Sequence, residues 1–258
     1  QFRRVLFRSV NLPHSWNAID GQDGDNDFYR GTCYYAKSFM KGSLPAADRY
    51  YLEIKGANSS ADVYVNGKHL AHHDGGYSTW RVDMTEALDL NNLLVIAVDN
   101  KANDTVYPQM ADFTFYGGIY RDVNIIAVSE SHFDLDYYGG PGIMVTPVIE
   151  GTTAKVGVEV FVTNKKDDQV LAYRIKDAEG NVVGNITSED TAVIFEVENV
   201  HLWHGRKDPY LYTAEVALVE GETVLDGVTT RFGCRTFEID PDNGFILNGE
   251  EYPLRGVS

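Results

Sequence analysis

At 258 residues the chain is long enough for two domains, and 43% hydrophobic against 23% charged residues is a globular mixture that buries a core and argues against disorder. A formal charge of -16 excludes nucleic acid and anionic membrane surfaces as partners, because both are repelled at long range. The two cysteines, Cys33 and Cys234, share no Cys-X-X-Cys or Cys/His spacing and read as free, buried thiols, and no apolar run reaches the ~20 residues of a membrane-spanning helix.

The opening QFRRVLFRSV has neither an initiator Met nor the long apolar centre and small-residue cleavage site of a signal peptide, so residues 1–9 read as a non-native or unstructured leader. Residues 20–31, DGQDGDNDFYRG, have the Asp, Gly and Asn content of a binding loop. Asp20, Asp23, Asp25 and Asp27 lack the glutamate that completes a calcium loop, so no metal is expected there. Next, Tyr51, Leu52 and Ile54 precede Val63 and Val65 and an Asn66-Gly67 pair, which predicts a hairpin with a type I′ turn. His72 and His73 have no carboxylates at ligand spacing in the sequence and are not expected to bind metal. Trp80 suits either a sugar-stacking platform or the core, and the core reading is preferred. MTEAL is scarcely one helical turn, with Thr85 as its expected cap. NNLLVIAVDN and DVNIIAVSE are β-branched runs bounded by Asn and Asp, the signature of buried sandwich strands.

Between those two runs lies DFTFYGGIYRDV, residues 112–123. Gly117 and Gly118 permit backbone angles or close approaches that a Cβ would block. Phe113, Phe115, Tyr116 and Tyr120 supply flat faces for a core or for stacking on a sugar, with at least half of them assigned to the core. Arg121 and Asp122 read as strand-edge residues in a salt bridge. Asp112 lies on the loop side of the glycines, where a carboxylate projects from the sheet and accepts hydrogen bonds from sugar hydroxyls; a loop-capping aspartate is the alternative.

Past residue 131 close-spaced strands recur between Gly and Asn turns without helices, which predicts an immunoglobulin-type β-sandwich without the Cys…Trp…Cys core of antibody domains. The Gly/Pro-rich SESHFDLDYYGGPG marks the boundary between domains at 10–131 and 132–235. Residues 236–258 carry a second hairpin signal, Asn248-Gly249, inside a linker. The triplets at Asn58, Asn103 and Asn185 would accept glycans only in a eukaryotic secretory setting.

NLPHSWN, FYRGTCYYAKSF, VYVNGKHLAHHDGGYSTWRVDMTEAL, GGIYRDV, DPYLYTAEV and FILNGEEYPLRGVS occur in the order and approximate spacing of glycoside hydrolase family 2. From about residue 10 onward the chain resembles that family's N-terminal half. The resemblance implies an all-β chain: a jelly-roll (galactose-binding-like) β-sandwich followed by an immunoglobulin-like β-sandwich, ending at the start of a missing (β/α)8 barrel. It implies retaining hydrolysis by two barrel glutamates downstream of Ser258, so the chain alone is expected to be inactive. Asp112 matches the aspartate that reaches from the first domain into the barrel's site to hold the sugar's outer hydroxyls, and in some β-galactosidases it also helps bind a monovalent cation. Asn26 is the nearest candidate for a sugar-contacting asparagine. The resemblance favours a β-galactosidase acting on β-galactosides, because Asp122 follows the arginine of GGIYRDV; β-glucuronidase, a free-standing carbohydrate-binding module with a glycan site on the jelly-roll face, and a ligand-free tandem sandwich are the alternatives. It also implies no cofactor for this part of the protein, a monovalent or divalent cation in the full-length enzyme, a homo-oligomer, and residence in a bacterial periplasm or cytoplasm.

Overall fold

The computed structural model describes residues 8–20, 28–107 and 114–256. The chain divides into two compact units between Val128 and Ser129.

The first unit contains β1 (His14–Ser15), β2 (Thr32–Met40), β3 (Arg49–Ile54), β4 (Ala57–Asn58), β5 (Ser60–Val65), β6 (Lys68–Asp74), β7 (Trp80–Asp83), β8 (Asn91–Asp99), β9 (Gly118–Ile119) and β10 (Val123–Val128). They form sheets ordered β2-β8-β5-β6, β10-β3-β7 and β1-β9-β4, in which neighbouring strands run antiparallel. Alternation decides which face turns inward. In β8, Leu94, Ile96 and Val98 are buried while Leu93 is exposed, and β5 buries Val63 and Val65 in the same way. These residues join Leu52, Ile54, Met84 and Ile119 in one core. The first expected hairpin is present: Val65 pairs with Lys68, and Asn66 and Gly67 take φ of 53° and 81°, the two left-handed positions that a type I′ turn requires.

The short turn at Thr85–Ala87 differs from expectation at its start. It is a 3₁₀ turn whose Thr85 N–H donates to Asp83 Oδ1 at 2.9 Å, so Asp83 and not Thr85 satisfies the free amide. The Thr85 hydroxyl instead accepts the Tyr50 N–H at 2.9 Å and ties the turn to β3.

The second unit contains β11 (His132–Phe133), β12 (Ile143–Glu150), β13 (Thr153–Val160), β14 (Val162–Thr163), β15 (Gln169–Lys176), β16 (Val182–Ser188), β17 (Ala192–Val197), β18 (Tyr212–Glu220), β19 (Thr223–Phe232), β20 (Phe237–Asp240), β21 (Gly244–Leu247) and β22 (Glu250–Glu251). Sheets β12-β13-β17 and β16-β15-β18-β19 enclose a core that includes Val156, Val158, Leu171, Tyr173, Ile175, Phe195, Val216 and Leu218. Strict alternation, as in the buried Gln169, Leu171, Tyr173 and Ile175 of β15, produces this two-sheet sandwich. Asn248-Gly249 closes the β21–β22 hairpin with the same pair of positive φ angles, 51° and 81°. The described residues are all-β, two sandwiches in succession, with no α-helix and no closed barrel among them.

One core assignment needs correction. Cys234 is fully buried, which pushes its thiol up to about 11, but Cys33 is only half-buried because it lies on β2, an edge strand.

Candidate functional site

Two buried asparagines organise one corner of the jelly roll. Asn17 and Asn100 are 0% and 1% exposed, so their amides must find partners inside the protein. Asn17 Nδ2 donates to Tyr29 O at 2.9 Å and to Asp20 Oδ2 at 2.7 Å, while its Oδ1 accepts the Gly117 N–H at 2.7 Å. Asn100 Nδ2 donates to Asn17 Oδ1, Tyr29 O and Phe115 O at 3.2, 3.3 and 3.1 Å, and its Oδ1 accepts the Gly31 N–H at 2.9 Å. The pair therefore joins the chain around residues 17–20, the chain around 29–31 and the chain around 115–117. Arg30 reinforces the junction: its Nε donates to Asn100 O at 2.9 Å, and its guanidinium lies 5.8 Å from the Phe28 ring and 5.7 Å from the Phe115 ring. The hydrogen bonds from Asn17 and from the Tyr29 N–H hold the Asp20 carboxyl below the usual carboxylate range.

The glycines of the corner are required by close approach. A Cβ on Gly117 would fall inside the Trp16 ring, and one on Gly118, where φ is 136°, would collide with the His14 carbonyl. Gly118 pairs with Ser15 on one side and Asn58 on the other, so β9 is held between two short strands. His14 Nδ1 lies 2.8 Å from the Tyr35 hydroxyl, and burial pushes Tyr35 up to about 12.

A second cluster anchors the chain that leaves β8. Asp74 accepts hydrogen bonds from Ser60 Oγ at 2.6 Å, Asn103 Nδ2 at 2.9 Å and Thr105 Oγ1 at 2.6 Å, and His72 Nε2 lies 3.2 Å away. The hydrogen bonds, led by that of Ser60, bring the Asp74 carboxyl down to about 2.

The two residues assigned to sugar contact, Asp112 and Asn26, lie outside the described residues, as do Phe113, Asp23, Asp25 and Asp27. What is described is the base of each segment: Asp20 and Phe28–Tyr29 for one, Tyr107 and Thr114–Phe115 for the other. Asn17 and Asn100 tie Tyr29 and Phe115 to a common point.

Several expectations for this region are corrected. Phe115 and Tyr120 are half-buried and Tyr116 is 42% exposed, so among the described residues of the stretch the fully buried hydrophobic side chain is that of Ile119, between the glycines and the following strand. Arg121 and Asp122 do not pair with each other. Asp122 reaches Lys55 at 3.4 Å, and Arg121 donates to Tyr77 O at 3.3 Å, because successive side chains of an extended chain point apart. Trp80, by contrast, is in the core as expected, at 9% exposure and stacked 4.8 Å from His73. His72 does meet carboxylates, Asp62 at 3.0 Å and Asp74 at 3.2 Å, which cross-strand pairing brings together although the sequence separates Asp62 from His72. Among the described residues no group of three or more His, Cys, Asp and Glu side chains is placed to hold a metal ion. The amides of Asn58 and Asn103 are taken up by Tyr116 O and by Ser60 and Asp74, so neither is open to a glycan.

Sequence reasoning did not single out Asn17, Asn100, Arg30 or Asp74. The available signal was an asparagine closing the buried run LLVIAVDN, a polar residue where a core strand ends and a loop must be anchored.

Profiles of the glycosyl hydrolases family 2 sugar binding domain and of glycosyl hydrolases family 2 match residues 6–129 and 142–235. The chain belongs to glycosyl hydrolase family 2. It is 42% identical to the FMN-binding β-glucuronidase from Facaelibacterium prausnitzii L2-6, whose crystal structure superposes with a TM-score of 0.92 over 97% of this chain and 40% of that one. It is 34% identical over 264 residues to a β-glucuronidase of Bacteroides fragilis, covering 97% of this chain and 38% of the relative. A β-galactosidase of Thermoanaerobacter pseudethanolicus is 26% identical over 269 residues, 100% of this chain and 35% of the relative. The chain thus spans about two fifths of the length of the proteins it matches.

Proposed function

We propose that this chain is the non-catalytic N-terminal part of a retaining β-glucuronidase, supplying loops to a sugar pocket whose reacting groups lie in a barrel. The observation that carries the reading is the 42% identity and TM-score of 0.92 to a β-glucuronidase over 97% of this chain, above the 35% to a putative β-galactosidase from Bacteroides fragilis and the 26% to that of Thermoanaerobacter pseudethanolicus. The preference for a β-galactosidase rested on Asp122, whose carboxylate is 64% exposed and lies 3.4 Å from Lys55, a surface ion pair that gives no ground for choosing between the two sugars.

In this reading Asp112 and Asn26 hold hydroxyls of the glucuronosyl unit, on loops whose bases are fixed by Asn17 and Asn100. An aspartate beside the uronate carboxylate would repel it, so Asp112 serves the hydroxyls away from C6, and cations outside this chain meet the uronate. The reading requires no cofactor held by these two sandwiches.

The test is the full-length gene product assayed on p-nitrophenyl β-D-glucuronide and β-D-galactoside. A higher kcat/KM on the glucuronide is expected, and Asp112→Ala should lower it by roughly 10- to 100-fold, the loss of one hydrogen bond to a charged group. A preference for the galactoside, or turnover of either substrate by residues 1–258 alone, overturns the reading.

A further inference from the structure

The outer face of the sheet β2-β8-β5-β6 carries a constellation outside the loop corner. Register places Tyr34, Ala97, Asp62 and His72 on one rung across the four strands, and Ala36, Val95, Tyr64 and His69 on the next. Val63, Val65, Ile96 and Val98 fill the core from the opposite face, so these rungs point outward. Tyr34 is 66% exposed in mid-strand, beside Ala97 at 8%. Its hydroxyl has no hydrogen-bond partner among the described residues. Neighbouring strands lie about 4.8 Å apart, which sets Tyr34 and Tyr64, two strands removed, about 10 Å apart across the sheet. Only Ala36, Val95 and Ala97 floor the space between them, leaving a shallow trough between two rings.

One wall of the trough is polar and fixed. Asp62 Oδ1 lies 2.8 Å from His69 Nε2 and 3.0 Å from His72 Nδ1. Asp62 Oδ2 has no partner among the described residues, and the side chain is 33% exposed. His69 in turn packs against Tyr64, with ring centroids 5.0 Å apart. The result is a carboxylate oxygen held in place by two imidazoles, across Ala97 from the uncovered ring of Tyr34. Flat aromatic surface takes the C–H face of a pyranose, and a preorganised carboxylate oxygen accepts from its hydroxyls. The charge of -16 excludes a polyanion, and the exposed aliphatic residues of the sheet, Leu93 and Met40, lie beyond these rungs toward the Asn66–Gly67 turn.

We propose that this face binds a neutral oligosaccharide, one sugar stacked on Tyr34 with a hydroxyl on Asp62 Oδ2 and the chain running over Val95 toward Tyr64. The site needs only this chain, so it stands or falls separately from the glucuronidase reading. Cellopentaose, xylopentaose and β-1,4-galactopentaose are titrated into residues 1–258 by isothermal calorimetry and ¹⁵N-HSQC NMR, to about 10 mM. At least one should bind with a millimolar or tighter Kd and shift the amides of residues 34, 62 and 64. Tyr34→Ala and Asp62→Asn should each weaken binding about tenfold or more, while Tyr34→Phe, which keeps the ring, should retain it. Tyr34 is exposed, so an unchanged melting temperature for Tyr34→Ala separates lost contact from lost fold. Absence of binding by all three probes, binding that survives Tyr34→Ala, or tighter binding of an oligogalacturonate overturns the proposal. So does self-association in sedimentation that Tyr34→Ala dissolves, which identifies the face as a protein interface.

Discussion

Asn100→Ala tests the corner directly. The substitution deletes one acceptor and one donor group at a position 1% exposed to solvent. The Gly31 N–H loses its 2.9 Å acceptor in a buried setting, which costs about 1–3 kcal/mol. Tyr29 O keeps its bond from Asn17, so the donor bonds lost at Tyr29, Phe115 and Asn17 add only about 1 kcal/mol together. The sum is about 3 kcal/mol, which for a unit of this size lowers the melting temperature by roughly 10 °C. Calorimetry with hydrogen exchange at Gly31 and Gly117 measures it, and the lower-melting variant should exchange both amides faster. Asn91→Ala, at an exposed strand end, is the control and should change stability by no more than about 0.5 kcal/mol. A loss under about 1 kcal/mol for Asn100→Ala, or unchanged exchange at Gly31, would refute the claim that this amide holds the loop bases together.

Gly118→Ala should destabilise the first unit by about 3 kcal/mol or more in urea titrations, since both the φ of 136° and the His14 carbonyl oppose a Cβ; Gly42→Ala, with open space around it, is the matched neutral change, and equal midpoints for the two would contradict the packing argument. Asp74, held at about 2 in the fold against 3.8 otherwise, contributes stability that is present above about pH 4 and lost as pH falls toward 2. Asp74→Asn should therefore flatten the acid limb of the stability curve by about 1–2 kcal/mol, and an unaltered limb would count against the cluster. His72 has the opposite sign: Asp62 and Asp74 raise its pKa, so its contribution is complete below about 6.5 and disappears as pH rises through the raised value. ¹³C-edited NMR of His72 should give a midpoint above the usual histidine value in the wild type and one displaced downward in Asp62→Asn.

The regular strands were legible because their cause is local. Alternation in LLVIAVDN and the Asn-Gly pairs at 66–67 and 248–249 specify inward faces and positive φ without reference to distant chain. The corner was not legible for the same reason reversed: Asn17 and Asn100 acquire their roles from Gly117, Tyr29 and Phe115, residues up to 100 positions away. Tyr116 and Asp122 were misjudged because residue type alone does not say which side of a strand end faces water. His72 was set aside as lacking carboxylates that a two-strand register supplies. Thr85 failed as a cap because Asp83, two residues earlier, offered its carboxylate first.

The hubs of the corner are carboxamides, and a carboxamide neither gains nor loses a proton across the range in which proteins fold. Asn17 and Asn100 grip their neighbours chiefly through main-chain groups of Tyr29, Gly31, Phe115 and Gly117, so the grip does not depend on what side chains those neighbours carry. The segments that follow Asp20 and Tyr107 therefore finish, at Tyr29 and Phe115, on main-chain contacts indifferent to what those segments contain. A framework fastened in this way stays as it is when the sequence carried between its fixed points changes.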